Sequence, residues 1–431
     1  MTTIFRQLLL LLAVAALSGC AAIFNTASCS SPVKRNPPQA FVSMFVVPLE
    51  GDSSSPVVEK AATESARLIK VESIKANADG NYSSITLLSR LPLEQKCDAG
   101  RVMETIYEAQ HERQTLLNDS VVVWGIVVKR DDQLYSQMYS RILWQDEEKR
   151  LYKLNFESSS TRKIEFQAKF PELTVAFPQK FIGTGLNDEF VVDRESLGIV
   201  RAGPSSSAIA VDLPAVFTIG PRENGWIPLN TNGGRAAWLN AAPVRATNGE
   251  RLFPETEYFF AVSAFVKGRV LGLDEPATRN KLGKLLNDYV KQYGEASDPE
   301  ARTLLAIVNL MLAFQEFPRA PNADDEISAR ARNYVQAAAR LLPGNPEIAN
   351  LAALASLGDC CSGRDAAAHA AVVQGYFDRA LKGDRANILL LHNLDKWYSL
   401  LEQRGITPQG MTNDEVLARH ADVRDRLHVG R

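Results

Sequence analysis

The stretch SVVVWGIVV, residues 120–128, decides the fold of the first half of the chain. Its β-branched residues and its aromatic residue are typical of a strand buried in a sheet. Two earlier apolar stretches, residues 41–48 and 84–91, predict further strands. Helical spacing of apolar residues predicts a helix after each of them, over residues 57–73 and 100–117. The order strand, helix, strand, helix, strand predicts an α/β layer.

Three alternating stretches follow, residues 134–144, 151–158 and 162–168, and they predict a β meander. We therefore expect residues 40–194 to form one α/β domain in which helices pack on one sheet. By its element order and by residues 120–128, this block resembles the amino-terminal domain of the periplasmic protein TolB and its relatives among bacterial lipoproteins.

A third block, residues 195–243, contains the motifs RAGPS, GW and GRAAW in that order. This order resembles bacterial SH3-like domains, although Ala237 stands where that family has glycine before its second tryptophan. The resemblance implies a small β-barrel that binds peptidoglycan. Trp226 and Arg235 are then the candidate binding residues.

Within this block, Asn232-Gly233 predicts a hairpin turn of type I′, because both central positions of such a turn need positive φ. Centring the hairpin there pairs Ile227 with Trp238. Since side chains alternate along a strand, Trp238 would lie on the apolar core face and Trp226 on the other face.

Residues 253–431 have the periodicity of about eight helices. Two of the predicted helix starts combine a cap with a following proline, at Asp298 and Asn345. Residues 334–348 align with residues 376–390, and this repeat of an aromatic, a small residue and an asparagine resembles the tetratricopeptide repeat. The resemblance implies helical hairpins with a concave surface for a protein or peptide partner; a generic helical bundle is the alternative.

The N-terminus carries the apolar run LLLLLAVAAL, residues 8–17, and then Ser18-Gly19-Cys20. Leu17 to Cys20 resembles the lipobox of bacterial lipoproteins; an ordinary signal peptide with a chance cysteine is the alternative. The resemblance implies removal of residues 1–19, lipid attachment to Cys20 and a tether over residues 20–39. In that family a residue other than aspartate after the cysteine favours the outer membrane, and here that residue is Ala21. The folded part of the chain would then face the periplasm.

The remaining composition excludes several functions. A net charge of −2 gives no electrostatic footprint for nucleic acid. Cys29, Cys97, Cys360 and Cys361 allow three disulfide pairings, and no spacing of cysteines or histidines predicts a metal site. A Ser-x-x-Lys match at Ser31–Lys34 lies in the expected tether, where nothing holds a nucleophile in place. No serine elbow, phosphate loop or complete dinucleotide motif occurs, so we expect neither catalytic residues nor a cofactor.

The sequence thus predicts a multidomain α+β protein made of a sheet domain, a small SH3-like barrel and a helical, tetratricopeptide-like region. The leading functional hypothesis is a lipid-anchored, non-catalytic interaction scaffold of the cell envelope, with the membrane and an envelope protein or peptide as partners. One alternative is a peptidoglycan-binding protein, and another is a regulator or enzyme of cell-wall metabolism.

Overall fold

A computed structural model describes most of the chain after its N-terminal segment. The ranges it describes are 42–47, 49–51, 55–78, 85–88, 99–111, 119–145, 147–159, 162–184, 200–212, 216–231, 234–242, 255–271, 276–293, 299–316, 329–357 and 365–429. The predicted lipidation residue Cys20 and the other four cysteines lie outside these ranges, and so does the predicted Asn232-Gly233 turn.

The described elements follow the chain as thirteen strands and eleven helices, numbered here in chain order. The strands are β1 (Val42–Val46), β2 (Glu50–Gly51), β3 (Ile85–Leu88), β4 (Ser120–Arg130), β5 (Gln133–Leu143), β6 (Leu151–Ser159), β7 (Arg162–Lys169), β8 (Val175–Ala176), β9 (Lys180–Thr184), β10 (Val200–Arg201), β11 (Val216–Ile219), β12 (Trp226–Thr231) and β13 (Gly234–Asn240). The helices are α1 (Pro56–Ala78), α2 (Ala99–His111), α3 (Glu147–Arg150), α4 (Thr256–Leu271), α5 (Pro276–Tyr293), α6 (Pro299–Glu316), α7 (Ala329–Leu341), α8 (Pro346–Ala355), α9 (Ala366–Gly383), α10 (Ile388–Arg404) and α11 (Asn413–Val429).

The protein is of mixed α+β class, as predicted, and it divides into two compact units. Unit 1 comprises Met1–Gln145 and Phe177–Val270, and unit 2 comprises Asp146–Ala176 and Leu271–Arg431. Each unit is therefore built from two separate segments of the chain. This division differs from the domain boundaries expected at residues 194 and 243.

The sheet of unit 1 is centred on β1, which pairs in parallel with β3 on one side and with β4 on the other. The predicted strand–helix–strand–helix–strand order is confirmed. The crossover from β1 to β3 and the crossover from β3 to β4 run in opposite directions across the sheet, and right-handed crossovers then place α1 and α2 on opposite faces. On the face of α2, Phe45 and Val122 pack with Val102 and Ile106 in a buried cluster.

The strands of residues 200–240 continue this sheet. Its order runs β10-β13-β12-β11-β3-β1-β4-β5, and β11 pairs antiparallel with β3 through Phe217 and Leu87. Among the described residues no closed barrel forms, so the expected separate SH3-like barrel is not confirmed. Lys75 of α1 donates a hydrogen bond to the carbonyl of Ala242 just after β13 and so connects α1 to this end of the sheet.

The prediction of one continuous meander is wrong at β6 and β7. These two strands pair only with each other, from Leu151 opposite Lys169 to Ser159 opposite Arg162, and they belong to unit 2. Their apolar side chains pack against α6, where Phe314 makes edge-to-face contacts with Tyr152 and Phe170 at 5.7 and 5.2 Å between ring centroids. The hairpin is therefore part of the core of unit 2.

Polar side chains of α8 and α10 hold the outer edge of β7. Asn393 accepts a hydrogen bond from the Gln167 backbone N–H (3.1 Å) and donates one to its carbonyl (2.6 Å), as a neighbouring strand would. Asn350 donates to the same carbonyl at 3.4 Å, and Lys396 donates to the carbonyl of Glu165 at 2.6 Å. Because Asn393 is fully buried, it pairs with the Gln167 backbone groups from inside the unit.

The internal repeat has a structural counterpart in the pairs α7–α8 and α9–α10. Asn345 caps α8 by accepting from the N–H of Ile348 at 2.9 Å, and Asn387 caps α10 by accepting from the N–H of Leu390 at 3.0 Å. The aligned asparagines thus cap the second helix of each pair. The tetratricopeptide assignment itself stays a prediction.

Candidate functional site

The two tryptophans of the β12–β13 hairpin lie on the same face of the sheet. Thr231 pairs with Gly234 as predicted, but a β-bulge at Leu229/Asn230 shifts the later pairs by one residue, so that Pro228 lies opposite Trp238. Directly opposite residues share a face, and so do residues two apart on one strand. The prediction that Trp226 and Trp238 point to opposite faces is therefore wrong.

The opposite face of the hairpin forms the core. Ile227, Leu229 and Leu239 are fully buried there, and Ala237 is buried with them. Ala237 occupies the position at which the SH3-like family has glycine, and its methyl group is accommodated in this packed layer. One extra residue in β13 thus moves Trp238 off this face, although its ring is buried, as predicted.

Arg235 lies over Trp238 and is held there by Glu223. Its guanidinium carbon is 5.1 Å from the centroid of the indole ring. Two of its nitrogens donate to the two carboxylate oxygens of Glu223, at 3.2 and 2.8 Å. Trp238 is only 9% exposed beneath them, whereas the Arg235 side chain is 55% exposed. We call Trp226, Pro228, Trp238, Arg235 and Glu223 together the tryptophan face.

A tight turn places Glu223 in this surface. Asn224 and Gly225 both have positive φ, 49° and 82°, and Glu223 and Trp226 exchange two backbone hydrogen bonds across them at 2.7 and 2.9 Å. This is the pattern of a two-residue hairpin, and Asn-Gly is its strongest sequence signal. The sequence analysis predicted a hairpin turn only at Asn232-Gly233 and did not predict the turn at Asn224-Gly225.

Gly220 makes room for the proline of the tryptophan face. A Cβ atom at residue 220 would lie 2.5 Å from Cγ of Pro228, which is closer than packed atoms approach. The Gly220 N–H donates to the Pro228 carbonyl at 2.8 Å, so the two chains are close because they are paired. Without a side chain at Gly220, the ring of Pro228 fits against this residue while Pro228 lies opposite Trp238.

Arg201, the arginine of the RAGPS motif, belongs to the same region. It lies opposite Trp238 across β10 and β13, and its guanidinium donates to the carbonyl of Ala208 at 2.6 Å. The structure therefore brings together the arginine and tryptophan residues of all three motifs on which the SH3-like resemblance was based.

The tryptophan face suits a ligand that carries an apolar surface and a carboxylate. Arg235 already donates two hydrogen bonds to the Glu223 carboxylate, and guanidinium groups favour this bidentate geometry. Trp226 is half-buried, so part of its ring reaches solvent. An indole ring offers a large flat contact area and loses little conformational freedom on binding.

A second polar cluster lies in unit 2 around His420, whose role sequence reasoning did not foresee. The ring is 3% exposed and contacts two carboxylates, Asp395 at 2.9 Å and Glu402. In the ranges that the structure describes, no group of histidine, cysteine or acidic residues has the arrangement of a metal site. None of the helices in those ranges is long and apolar enough to cross a membrane.

No family model, curated protein or solved structure matches this chain. The functional conclusion therefore depends on the residues themselves.

Proposed function

We propose that this chain is a lipid-anchored protein of the bacterial cell envelope that acts by binding a partner and not by catalysis. Leu17-Ser18-Gly19-Cys20 supports an anchor at Cys20, and Ala21 supports the outer membrane as its location. Several acyl chains give stable anchoring because each buried methylene contributes about 0.8 kcal/mol. Residues 20–39 would connect this anchor to the folded body.

The observation that carries the binding proposal is the clustering of Trp226, Trp238 and Arg235 on one outer face of the sheet. Tryptophan and arginine are the residues that most often dominate binding energy at protein interfaces. Arg235 and Glu223 form an exposed ion pair, and such pairs contribute little to folding stability. A ligand carboxylate could therefore replace the Glu223 carboxylate on Arg235 with little loss of folding stability.

The first candidate partner is an envelope protein or peptide, which makes the chain an interaction scaffold. The repeated pairs α7–α8 and α9–α10 support this reading with their aligned caps Asn345 and Asn387. In a tetratricopeptide-like array they would offer a second surface for the same role. Arg235 would bind an acidic side chain or a carboxyl terminus of the partner.

Peptidoglycan is the second candidate partner, and the tryptophan face is the specific observation that favours it. The apolar face of a sugar ring could lie against Trp226, and a carboxylate of the peptide stems could bind Arg235. The SH3-like motifs RAGPS, GW and GRAAW support the same ligand class.

Co-sedimentation with purified sacculi separates these candidates. If peptidoglycan is the ligand, the protein should pellet with sacculi, and Trp226→Ala and Arg235→Ala should each reduce the pelleted fraction. Arg379→Ala is the matched control, since Arg379 is an exposed arginine that lies over Tyr376 in unit 2, 4.5 Å from its ring centroid. If the wild-type protein stays in the supernatant, the peptidoglycan proposal is rejected and a protein partner remains.

The anchor has its own test. Cys20→Ser should abolish incorporation of labelled fatty acid and remove the protein from the outer-membrane fraction. Cys29→Ser is the control because Cys29 lies nine residues beyond the motif. Equal labelling of wild type and Cys20→Ser would reject lipidation at this residue.

A further inference from the structure

The C-terminal helix α11 presents a short stripe of buried residues to the rest of unit 2. The buried residues along its length are Val416, His420 and Val423. Their spacing of four and then three places them on one stripe of the helix. The half-buried Leu427 continues the stripe, and a histidine lies between the two valines.

Two carboxylates of α10 meet the two nitrogens of that histidine. Nε2 of His420 lies 2.9 Å from Oδ1 of Asp395, and Nδ1 contacts Oε1 of Glu402. Asp395 and Glu402 are seven residues apart, which is two helical turns, so they share one face of α10. The imidazole ring fits between them.

This geometry distinguishes the two protonation states of the ring. A neutral imidazole has one N–H group and one lone pair, whereas the imidazolium ion has two N–H groups. Carboxylates only accept hydrogen bonds, so both contacts of His420 need both nitrogens to be protonated. In the neutral ring, one lone pair would face a carboxylate oxygen at hydrogen-bond distance.

The other charged and titratable groups around the ring come from α9, α10 and α11. Arg424 of α11 donates to Asp395 at 3.1 Å, and the Tyr398 ring of α10 lies 5.8 Å from the imidazole, between centroids. Arg419 of α11 pairs with Asp378 of α9 at 2.9 Å. Burial alone would raise the pKa of Asp395, but hydrogen bonds from His420 and Arg424 outweigh it and lower this pKa, which keeps the carboxylate charged.

We propose that His420 is a proton-dependent latch that holds α11 against α10. Loss of one proton removes one of its two carboxylate contacts and loosens the helix. The loosened helix uncovers the face of α10 that carries Asp395, Tyr398 and Glu402. Exposure of this surface would thus depend on the pH around the protein, a property that is independent of the tryptophan face and of the lipid anchor.

Hydrogen exchange of the full-length protein, measured by mass spectrometry at about pH 5.5 and about pH 8, tests the latch. Exchange in α11, corrected for intrinsic rates and compared with α8 in the same sample, should be about tenfold faster at the higher pH. Loss of one charge-assisted hydrogen bond corresponds to at least this factor. Equal protection of α11 at both pH values would overturn the proposal.

Variants assign the effect to this histidine. His420→Gln should remove the pH dependence, and His428→Gln should keep it, because His428 is an exposed histidine of the same helix. A pH dependence that persists in His420→Gln overturns the proposal. If His420→Gln fails to fold, Glu402→Gln is the deciding variant. It should leave α11 docked but reduce the pH dependence of hydrogen exchange in this helix, and an unchanged pH dependence would contradict the latch.

Discussion

Replacing Asn393 by alanine should destabilise unit 2 far more than its single amide group suggests. Asn393 is fully buried and joins the backbone of Gln167 to the side chain of Asn350 through three hydrogen bonds. Without it, the Gln167 N–H loses its acceptor and the Asn350 carbonyl oxygen loses this donor, while Asn350 still reaches the Gln167 carbonyl at 3.4 Å. At about 1–3 kcal/mol for each group left without its partner, and toward the lower end for the half-buried Gln167, we expect a loss of about 3 kcal/mol.

Urea unfolding of the full chain, followed by circular dichroism, measures this loss, and hydrogen exchange of residues 151–169 shows whether the hairpin loosens first. His392→Ala is the matched control, since His392 is the preceding residue of α10 and is exposed. It should change the free energy of unfolding by less than about 0.5 kcal/mol. If Asn393→Ala is as stable as His392→Ala, the reasoning about the edge of β7 is refuted.

Three further changes test unit 1. Trp238→Ala should lower the free energy of unfolding by about 3 kcal/mol, because the ring is buried beneath Arg235. Trp226 is only half-buried, so Trp226→Ala should lower it by about 1 kcal/mol or less; thermal melts compare the two variants, and equal losses would contradict this difference in burial. Burial raises the pKa of Glu255, so its carboxyl stays protonated to a higher pH in the folded state than in the unfolded state. The free energy of unfolding therefore falls as pH rises above about 4.3, the ordinary pKa of a glutamate. Glu255→Gln should remove this fall and be more stable than wild type at neutral pH in urea unfolding; a variant with the wild-type pH profile would rule this explanation out.

Local structure was predictable from the sequence because it depends on neighbouring residues. The run of β-branched residues in β4 predicted its strand, and the spacing of apolar residues predicted α1 and α2. The cap of α8 followed from Asn345 before a proline, and its side chain does accept the N–H of Ile348. These signals need no knowledge of what the element packs against.

The partners of the strands were not predictable in the same way. Strands β6 and β7 have the alternation of a meander, but long-range packing against Phe314 and Asn393 assigns them to the other unit. At the candidate site, a single extra residue in β13 reversed the face of Trp238. A bulge shifts the alternation of side chains by one residue, but residues 236–239 are all apolar, so the sequence does not show which of them face the core.

Photo-crosslinking in living cells tests the central claim most directly. A photoreactive amino acid at position 240, an exposed position directly opposite Trp226, should give a defined adduct with an envelope protein or with peptidoglycan, and Arg235→Ala should abolish that adduct. The control is the same amino acid at position 388, since Ile388 is 58% exposed and lies in unit 2. No adduct from position 240, or the same adducts from positions 240 and 388, would contradict a binding role for the tryptophan face.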